Sequence, residues 1–406
     1  MSELVLINVS GRDKPGLTSE ITGIMAQYNV RILDIGQAVI HDHLTWGIVA
    51  EIPDPKDAPP VLKDLLFRIH ELDLKVGFEP ITAEAYTRWL QGKDRARYIV
   101  TLLARDITAD QIARVSAITA HHGLNIDNIT RLSSRPPLEP GLNRIACVEF
   151  SVRGSAGDLD QLRADFLQIA TELNVDIAFQ EDNIFRRNRR LVVFDMDSTL
   201  IDAEVIDELA KEAGTGDAVA AITERAMRGE LEFKESFSAR VAQLKGLDAA
   251  VLETVAGRLQ MTEGAERLIV TLKALGYRTA ILSGGFSFFA RHLQDRLGID
   301  YVYANELAIE NGVVTGKVIG QVVDGQRKAE LLLEIAEKEH IRPEQVIAVG
   351  DGANDLPMLS QAGLGVAFRA KPVVKESARH AISTLGLDAI LYLIGFRDSD
   401  QLSHEL

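Results

Sequence analysis

The chain has 406 residues, more than one core of ordinary size holds, so two or three domains are expected. A formal net charge of −15 disfavours nucleic acid and anionic membrane surfaces as partners, and 46% hydrophobic with 25% charged residues is the composition of a soluble globular protein. One cysteine, Cys147, excludes an intrachain disulfide; the opening MSELVLINVSGRDKPG lacks the basic and apolar runs of a signal peptide, and no stretch reaches the ~20 apolar residues of a membrane span, which together fit the cytoplasm.

The first 180 or so residues hold an internal repeat. LVLINVSGRDKPGLTSEITGIMAQYNVRILDI reads as strand, turn at Pro15-Gly16, amphipathic helix and second strand, and YIVTLLARDITADQIARVSAITAHHGLNIDNI, from Tyr98, repeats that plan. Arg12-Asp13 answers to Arg105-Asp106, and Val30-Arg31-Ile32 to Leu124-Asn125-Ile126. Each copy continues through strand-like runs (WGIVAEI, RIACVEFSV), a helix (PVLKDLLFRIHEL, DLDQLRADFLQIATEL) and a closing strand (DLKVGFE, VDIAFQE), which makes two βαββαβ units. Over residues 3 to 180 this pattern resembles the ACT domain, a ferredoxin-like module, which implies pairing into a homodimer and amino-acid binding. GRDKPGL suits that module's first turn, whereas ARDITAD lacks the proline and glycine. The basic run FRRNRR, residues 185–190, reads as a solvated linker in so acidic a chain.

From Leu191 the chain alternates strand-like and helical segments, as in a doubly wound parallel sheet. The apolar run LVVF ends in two aspartates, Asp195 and Asp197, within FDMDSTLID. Ser198 or Asp202 in that stretch is suited to N-cap a helix starting near Ala203. A cap explains one polar residue and not the carboxylate pair: two close carboxyls raise one another's pKa unless a cation offsets them, and Mg2+ takes carboxylate oxygens. Residues 203 to about 260 have little strand character and read as inserted helices. Three later stretches supply partners. AILSGGFS puts Ser283 and the pliant Gly284-Gly285 backbone just after a buried strand. DGQRKAELL puts Lys328 near a helix start, where ammonium and dipole both favour a phosphate. VIAVGDGANDLPML ends a strand with Asp351, then Asn354 and Asp355. Between the first two of these stretches, LAIENGVVTG carries the hairpin signal Asn311-Gly312.

In this order the four motifs resemble those of the haloacid dehalogenase superfamily: Asp195-Met196-Asp197-Ser198-Thr199, Ser283, Lys328 and Gly350-Asp351-Gly352-Ala353-Asn354-Asp355. The resemblance implies a Rossmann-like sheet with a mobile helical cap. It implies Asp195 as the nucleophile, forming an aspartyl-phosphate, and Asp197 as the general acid and then base. Mg2+ would sit on Asp195, Asp351 and the backbone carbonyl of Asp197, with Ser283 and Lys328 on the phosphate oxygens and Asn354 and Asp355 in support. Within the superfamily, residues 191 to about 396 resemble the phosphoserine phosphatases through DMDSTLIDAEVIDELA, MRGELEFKESFSARVAQLKGL and ILSGGF. That likeness implies L-phosphoserine as substrate, with Glu204 on its amine, Arg240 on its carboxylate, Met227 and Phe233 as apolar cap contacts, and Ser283, Gly284, Lys328 and Asn354 completing the site. The expected domains are residues 1–90 and 95–183, both ACT-like, and 189–396, with a cap at about 205–260. Serine is the expected effector of the ACT-like pair. Two other readings stay open: action on another amino-acid phosphate such as phosphohomoserine, and an amino-acid sensor with a vestigial enzyme half.

Overall fold

A computed structural model describes residues 2–92, 96–135, 145–228 and 230–400, apart from the side chain of Met227. The chain divides into two compact units, 1–95 and 96–406. Among the described residues no helix is long and apolar enough to cross a membrane.

The first unit runs β1 (Glu3–Arg12), α1 (Leu17–Gln27), β2 (Arg31–Ile40), β3 (His43–Ile52), α2 (Ala58–Glu71), β4 (Leu74–Ile81) and α3 (Ala83–Gly92). Its strands form an antiparallel sheet in the order β2-β3-β1-β4. Alternation explains the burial: Val5, Ile7 and Val9 of β1 and Trp46, Ile48 and Ala50 of β3 face the helices, where Ile21, Met25, Leu65 and Ile69 meet them. Gly16 precedes α1 with φ 96, a left-handed conformation that favours glycine. The sequence pattern did not reveal α3, which has no buried residue.

The second unit opens with the other copy: β5 (Arg97–Ala104), α4 (Ala109–His121), β6 (Leu124–Arg131), β7 (Ala146–Gly154), α5 (Leu159–Leu173) and β8 (Asp176–Glu181), in sheet order β6-β7-β5-β8. ARDITAD starts its helix without proline or glycine. Thr108 and Gln111 form a reciprocal capping box there, so the turn is held by side chains instead.

The rest is an α/β sheet with a helical insertion. β9 (Leu191–Phe194) is followed by α6 (Val205–Glu212), α7 (Gly216–Met227), α8 (Phe233–Ala242) and α9 (Ala250–Arg258). Then come α10 (Ala265–Ala274), β10 (Arg278–Phe286), α11 (Ser287–Leu297), β11 (Tyr301–Glu310) and β12 (Val313–Ile319). The chain ends through α12 (Gly325–Lys338), β13 (Val346–Gly350), α13 (Leu356–Gln361), β14 (Leu364–Phe368), α14 (Pro372–Ser377), β15 (His380–Ile382) and α15 (Ile390–Leu393). The order β12-β11-β10-β9-β13-β14-β15 makes β9 the point from which the chain winds first one way and then the other. The unbroken apolar run of β9 is needed because both faces are covered: Val192 and Phe194 enter one core, Leu191 and Val193 the opposite one. Asn311 and Gly312, at φ 53 and 79, turn β11 into the antiparallel β12.

The run FRRNRR is not a solvated linker. Arg186 and Arg189 are buried: Arg186 pairs with Glu149 at 2.5 Å, and Arg189 donates to the carbonyls of Glu344 and Val346. They tie the second βαββαβ copy to the α/β sheet. Beside them Asp176 accepts from the N–H groups of Ser383 and Thr384 and from the Thr384 hydroxyl, at 2.7–3.1 Å. His380 is buried near this seam, and its Nδ1 has no hydrogen-bond partner. Burial lowers its pKa to about 3, with Arg189, Arg163 and Arg379 adding to the effect. The folded state therefore binds fewer protons than the unfolded state below the ordinary histidine value of ~6.5, and stability contributed by the neutral ring is lost as pH falls. His380→Gln should remove this dependence. Urea unfolding of both proteins should show the wild-type advantage shrinking from pH 7 to pH 4.5, by up to about 1.4 kcal/mol per unit below 6.5.

Candidate active site

Three strand ends and one helix start meet at the carboxyl edge of the sheet. Phe194, the last residue of β9, lies level with Ile281 and Val349 of its two neighbours, so the residues that follow those positions converge. They are Asp195, Ser283 and Asp351, at the switch point where open α/β sheets bind ligands. The Asp195 N–H donates to Val349 O at 2.8 Å, and the Met196 N–H to Asp195 Oδ1 at 2.7 Å, which fixes the carboxyl in place. The first turn of α12, capped by Asp324, carries Lys328 into the same space. Its Nζ lies 2.9 Å from Asp195 Oδ2 and 2.7 Å from Asp355 Oδ1, with no exposed surface. Gly350 is required here because a Cβ at that position would stand 2.4 Å from the Asp355 carboxyl.

The second aspartate serves the insertion. Asp197 Oδ1 accepts the Val205 N–H at the start of α6, at 3.3 Å. Neither Ser198 nor Asp202 caps that helix, and it begins at Val205 rather than near Ala203. The Ser198 hydroxyl instead donates to Glu204 Oε1 at 2.9 Å. Gly285 packs so close to Asp197 that a Cβ would stand 2.5 Å from its Oδ2, and its N–H donates to Ser283 Oγ. Phe233, at the start of α8, reaches over Gly284: a Cβ there would stand 3.4 Å from the ring. Arg240 lies near enough to Glu204 to act on its charge, and its Nε is buried without a hydrogen-bond partner. Helix α8 ends at Ala242, although the apolar spacing runs on to Leu247. Asn354 lies in the short turn between Asp351 and Asp355, its backbone against Gly325 of α12. The side chain of Met227 lies outside the described residues.

Two further residues, Asn305 and Lys234, build this site without any motif to announce them, and Thr199 of the first motif adds a contact that its motif did not foretell. Buried Asn305 of β11 donates to Gly284 O at 2.8 Å and accepts the Val323 N–H at 2.9 Å, joining the Ser-Gly-Gly segment to the approach of α12. The Thr199 hydroxyl donates to Asp351 Oδ1 at 3.3 Å. Lys234 of α8 pairs with Asp324 at 2.9 Å, across from the insertion to the sheet. Asn305 is a single polar residue within the β11 run, and that was its only signal.

Five carboxyls, Asp195, Asp197, Glu204, Asp351 and Asp355, gather around two cations, Lys328 and Arg240. Burial raises Asp195 well above the ordinary range, with Asp355 adding to the rise and Lys328 opposing it. Burial and then Glu204 raise Asp197. Burial raises Glu204 against its Ser198 bond, and burial followed by Asp355 and Glu204 raises Asp351 to about 7. Burial pulls Lys328 down, but Asp195 and Asp355 outweigh it and hold the ammonium above its usual value. Asp195, Asp351 and Asp355 offer oxygens within 4.8 Å of one another. This surplus of close, buried negative charge fits a bound metal cation, which would restore the ionised forms.

Residues 192–360 match the haloacid dehalogenase-like hydrolase family, and residues 3–79 and 96–180 each match an ACT domain. A phosphoserine phosphatase of Mycobacterium tuberculosis is 40% identical over 397 residues, spanning 96% of this chain and 93% of its own. One of Streptomyces coelicolor is 41% identical over 394 residues, spanning 96% and 92%. Among solved structures, a haloacid dehalogenase family hydrolase of Salmonella enterica superposes with TM-score 0.64 at 31% identity, over 75% of this chain and all of that one. A probable phosphoserine phosphatase of Vibrio cholerae superposes with TM-score 0.59 at 36% identity, over 75% and 88%.

The bridge made by Lys328 is also a folding element. Lys328→Met leaves two buried carboxyls without their partner and should lower the unfolding free energy by roughly 3–5 kcal/mol. Adding Asp355→Asn should recover part of that loss, because one of the stranded charges is removed with it. Urea unfolding of the two variants and the wild type checks both statements.

Proposed function

Because the chain belongs to the phosphoserine phosphatases of the haloacid dehalogenase-like hydrolases, we infer that it hydrolyses L-phosphoserine to L-serine and phosphate through an aspartyl-phosphate. The observation that carries the chemistry is the convergence of Asp195, Lys328, Asp351 and Asp355 at the end of the central strand. We assign Asp195 as the nucleophile: its oxygen bonds to phosphorus as the bond from phosphorus to the serine oxygen breaks. Asp197 donates a proton to the leaving serine oxygen. It then takes one from the water that attacks phosphorus and frees Asp195. The raised pKa of Asp197, from burial and then Glu204, suits an acid that must start protonated. Ser283 and Lys328 hold the phosphate oxygens, while Asn354 and Asp355 position Lys328 and its surroundings. Mg2+ would be held by Asp195, Asp351 and the backbone carbonyl of Asp197, and when bound it would neutralise charge on the phosphate.

The insertion selects the substrate. Glu204 and Arg240 are the one acid and one guanidinium of this set that come from it, and the buried, unpartnered Nε of Arg240 calls for an acceptor such as a carboxylate. Phe233 closes over Gly284. Arg240→Ala should raise KM for phosphoserine by tenfold or more and leave hydrolysis of a neutral aryl phosphate nearly unchanged. Released phosphate, measured across phosphoserine, phosphohomoserine and the aryl ester, tests both the assignment and the substrate. Equal damage to all three would remove the basis for it.

The first unit fits a serine-responsive homodimer contact in a cytoplasmic enzyme. Its strand β2 exposes Ile32, Ile35, Val39 and Ile40, an apolar set that a second copy would cover. Gly16 leaves its turn open, with nothing within 4 Å of where a side chain would stand. Serine should inhibit the full chain more strongly than a chain beginning at Ala96, and by a partly non-competitive pattern. Identical, purely competitive inhibition of both would leave the unit an assembly element alone.

A further inference from the structure

The segment that carries Ser283 leaves the sheet ladder. β10 pairs with β11 at Leu282 opposite Tyr303 and again at Phe286 opposite Asn305, so Ser283, Gly284 and Gly285 stand against Ala304 alone. Two of those three residues are glycines, and Gly285 has no choice, since a Cβ there would stand 2.5 Å from Asp197 Oδ2. A bulged pair of glycines is pliant. The site, however, asks this segment to hold one hydroxyl still against a phosphate.

One side chain stands in for the missing ladder. Asn305 is buried, its Nδ2 donates to Gly284 O at 2.8 Å, and its Oδ1 accepts the Val323 N–H at 2.9 Å. Only one orientation of the amide serves both partners, so its own direction is fixed. Gly284 O and the Gly285 N–H belong to the same planar peptide unit and point opposite ways. With the carbonyl held by Asn305, the N–H is directed at Ser283 Oγ, which accepts it at 2.9 Å. A hydroxyl oxygen that accepts an N–H still has its own hydrogen to give. Ser283 is thereby set as an acceptor toward the backbone and a donor toward an anion. The other end of the amide holds the approach to α12. Val323 leads into Asp324, whose carboxylate accepts the Arg327 N–H at 2.8 Å and whose carbonyl accepts the Lys328 N–H at 2.9 Å. A single buried amide thus spans the two segments that carry Ser283 and Lys328.

We propose that Asn305 is a positioning residue for the phosphate grip: it presents Ser283 as a hydrogen-bond donor and keeps it in register with Lys328. It acts through Ser283 rather than on the substrate. The proposal rests on the phosphatase reading, and a double-mutant cycle on the full chain tests it apart from that reading. The probe is inorganic phosphate with magnesium chloride present, measured by calorimetry and as a competitive inhibitor. Asn305→Ala and Ser283→Ala should each weaken phosphate about tenfold. The double variant should bind it within about twofold of Ser283→Ala, because the two changes remove the same interaction. Independent effects would multiply to about a hundredfold, and that result overturns the proposal. So does unchanged affinity in Asn305→Ala. A residue that only stabilises the fold changes how much active protein there is, not the affinity of the molecules that stay folded. Asn305→Asp keeps the partner of Val323 and loses the bond to Gly284, and it takes the place of Asn305→Ala in the cycle should that variant fold poorly. KM for phosphoserine and for a neutral aryl phosphate should rise together in Asn305→Ala, since the phosphate is common to both. A rise for phosphoserine alone would place Asn305 with the selective residues of the insertion and overturn its role at the phosphate. A wild type that binds no phosphate and hydrolyses neither ester removes the phosphatase reading, and this inference with it; a wild type that does both, beside an Asn305→Ala variant that matches it, removes this inference alone.

Discussion

Everything at the carboxyl edge of the sheet depends on one buried ammonium. Lys328 holds Asp195 and Asp355 within hydrogen-bond reach in a place that water does not enter. Without it, carboxyls from β9 and from the turn after β13 would face each other across a low dielectric, where repulsion is strong and protonation the escape. With it, the end of the central strand, the turn after β13 and the start of α12 are bound into one body. The same bridge leaves a surplus of buried negative charge, which fits a metal cation.

The sheet order explains why so little chain is needed to assemble the site. Because β9 is the switch point, its two neighbours come from distant parts of the chain, yet their ends lie level with its own. The insertion leaves β9 just after Asp197 and returns at Gln260 to Thr262, so Asp197, the stretch leading to Glu204 and the returning segment lie side by side. Small glycines mark where these parts press together: Gly285 against Asp197 and Gly350 against Asp355.

The two ACT domains have the same topology and different surroundings. The first keeps a glycine turn open to solvent and an apolar outer strand. The second replaces that turn with the Thr108–Gln111 capping box and packs against the α/β sheet through Asp176, Arg186 and Arg189. Divergence at ARDITAD thus accompanies a different role for that stretch, in which Arg105 reaches Glu263.

The sequence alone determined the repeat, the two βαββαβ units, the parallel sheet and the position of every motif aspartate, because hydrophobic period, turn residues and strand-end carboxylates are local signals. It was also enough to mark Ser283, Lys328 and the Asp351–Asp355 stretch as partners, through order and spacing. What it left hidden depends on contacts between segments far apart in the chain. Arg186 and Arg189 looked solvated because a basic run carries no sign of the carbonyls and the carboxylate that receive it. Helix α3 was missed because the stretch is short and none of its residues is buried, although Tyr86, Trp89 and Leu90 recur at helical spacing. Asn305 was invisible because one polar residue in a strand is ordinary until Gly284 and the segment before α12 come to meet it. The helix after Asp197 starts two residues later than local capping rules suggest, because Ser198 is drawn to Glu204 and Asp197 takes the first N–H. Charge, cap and seam were decided by tertiary structure: each is a balance between burial and a partner, and the partner is supplied only by the fold.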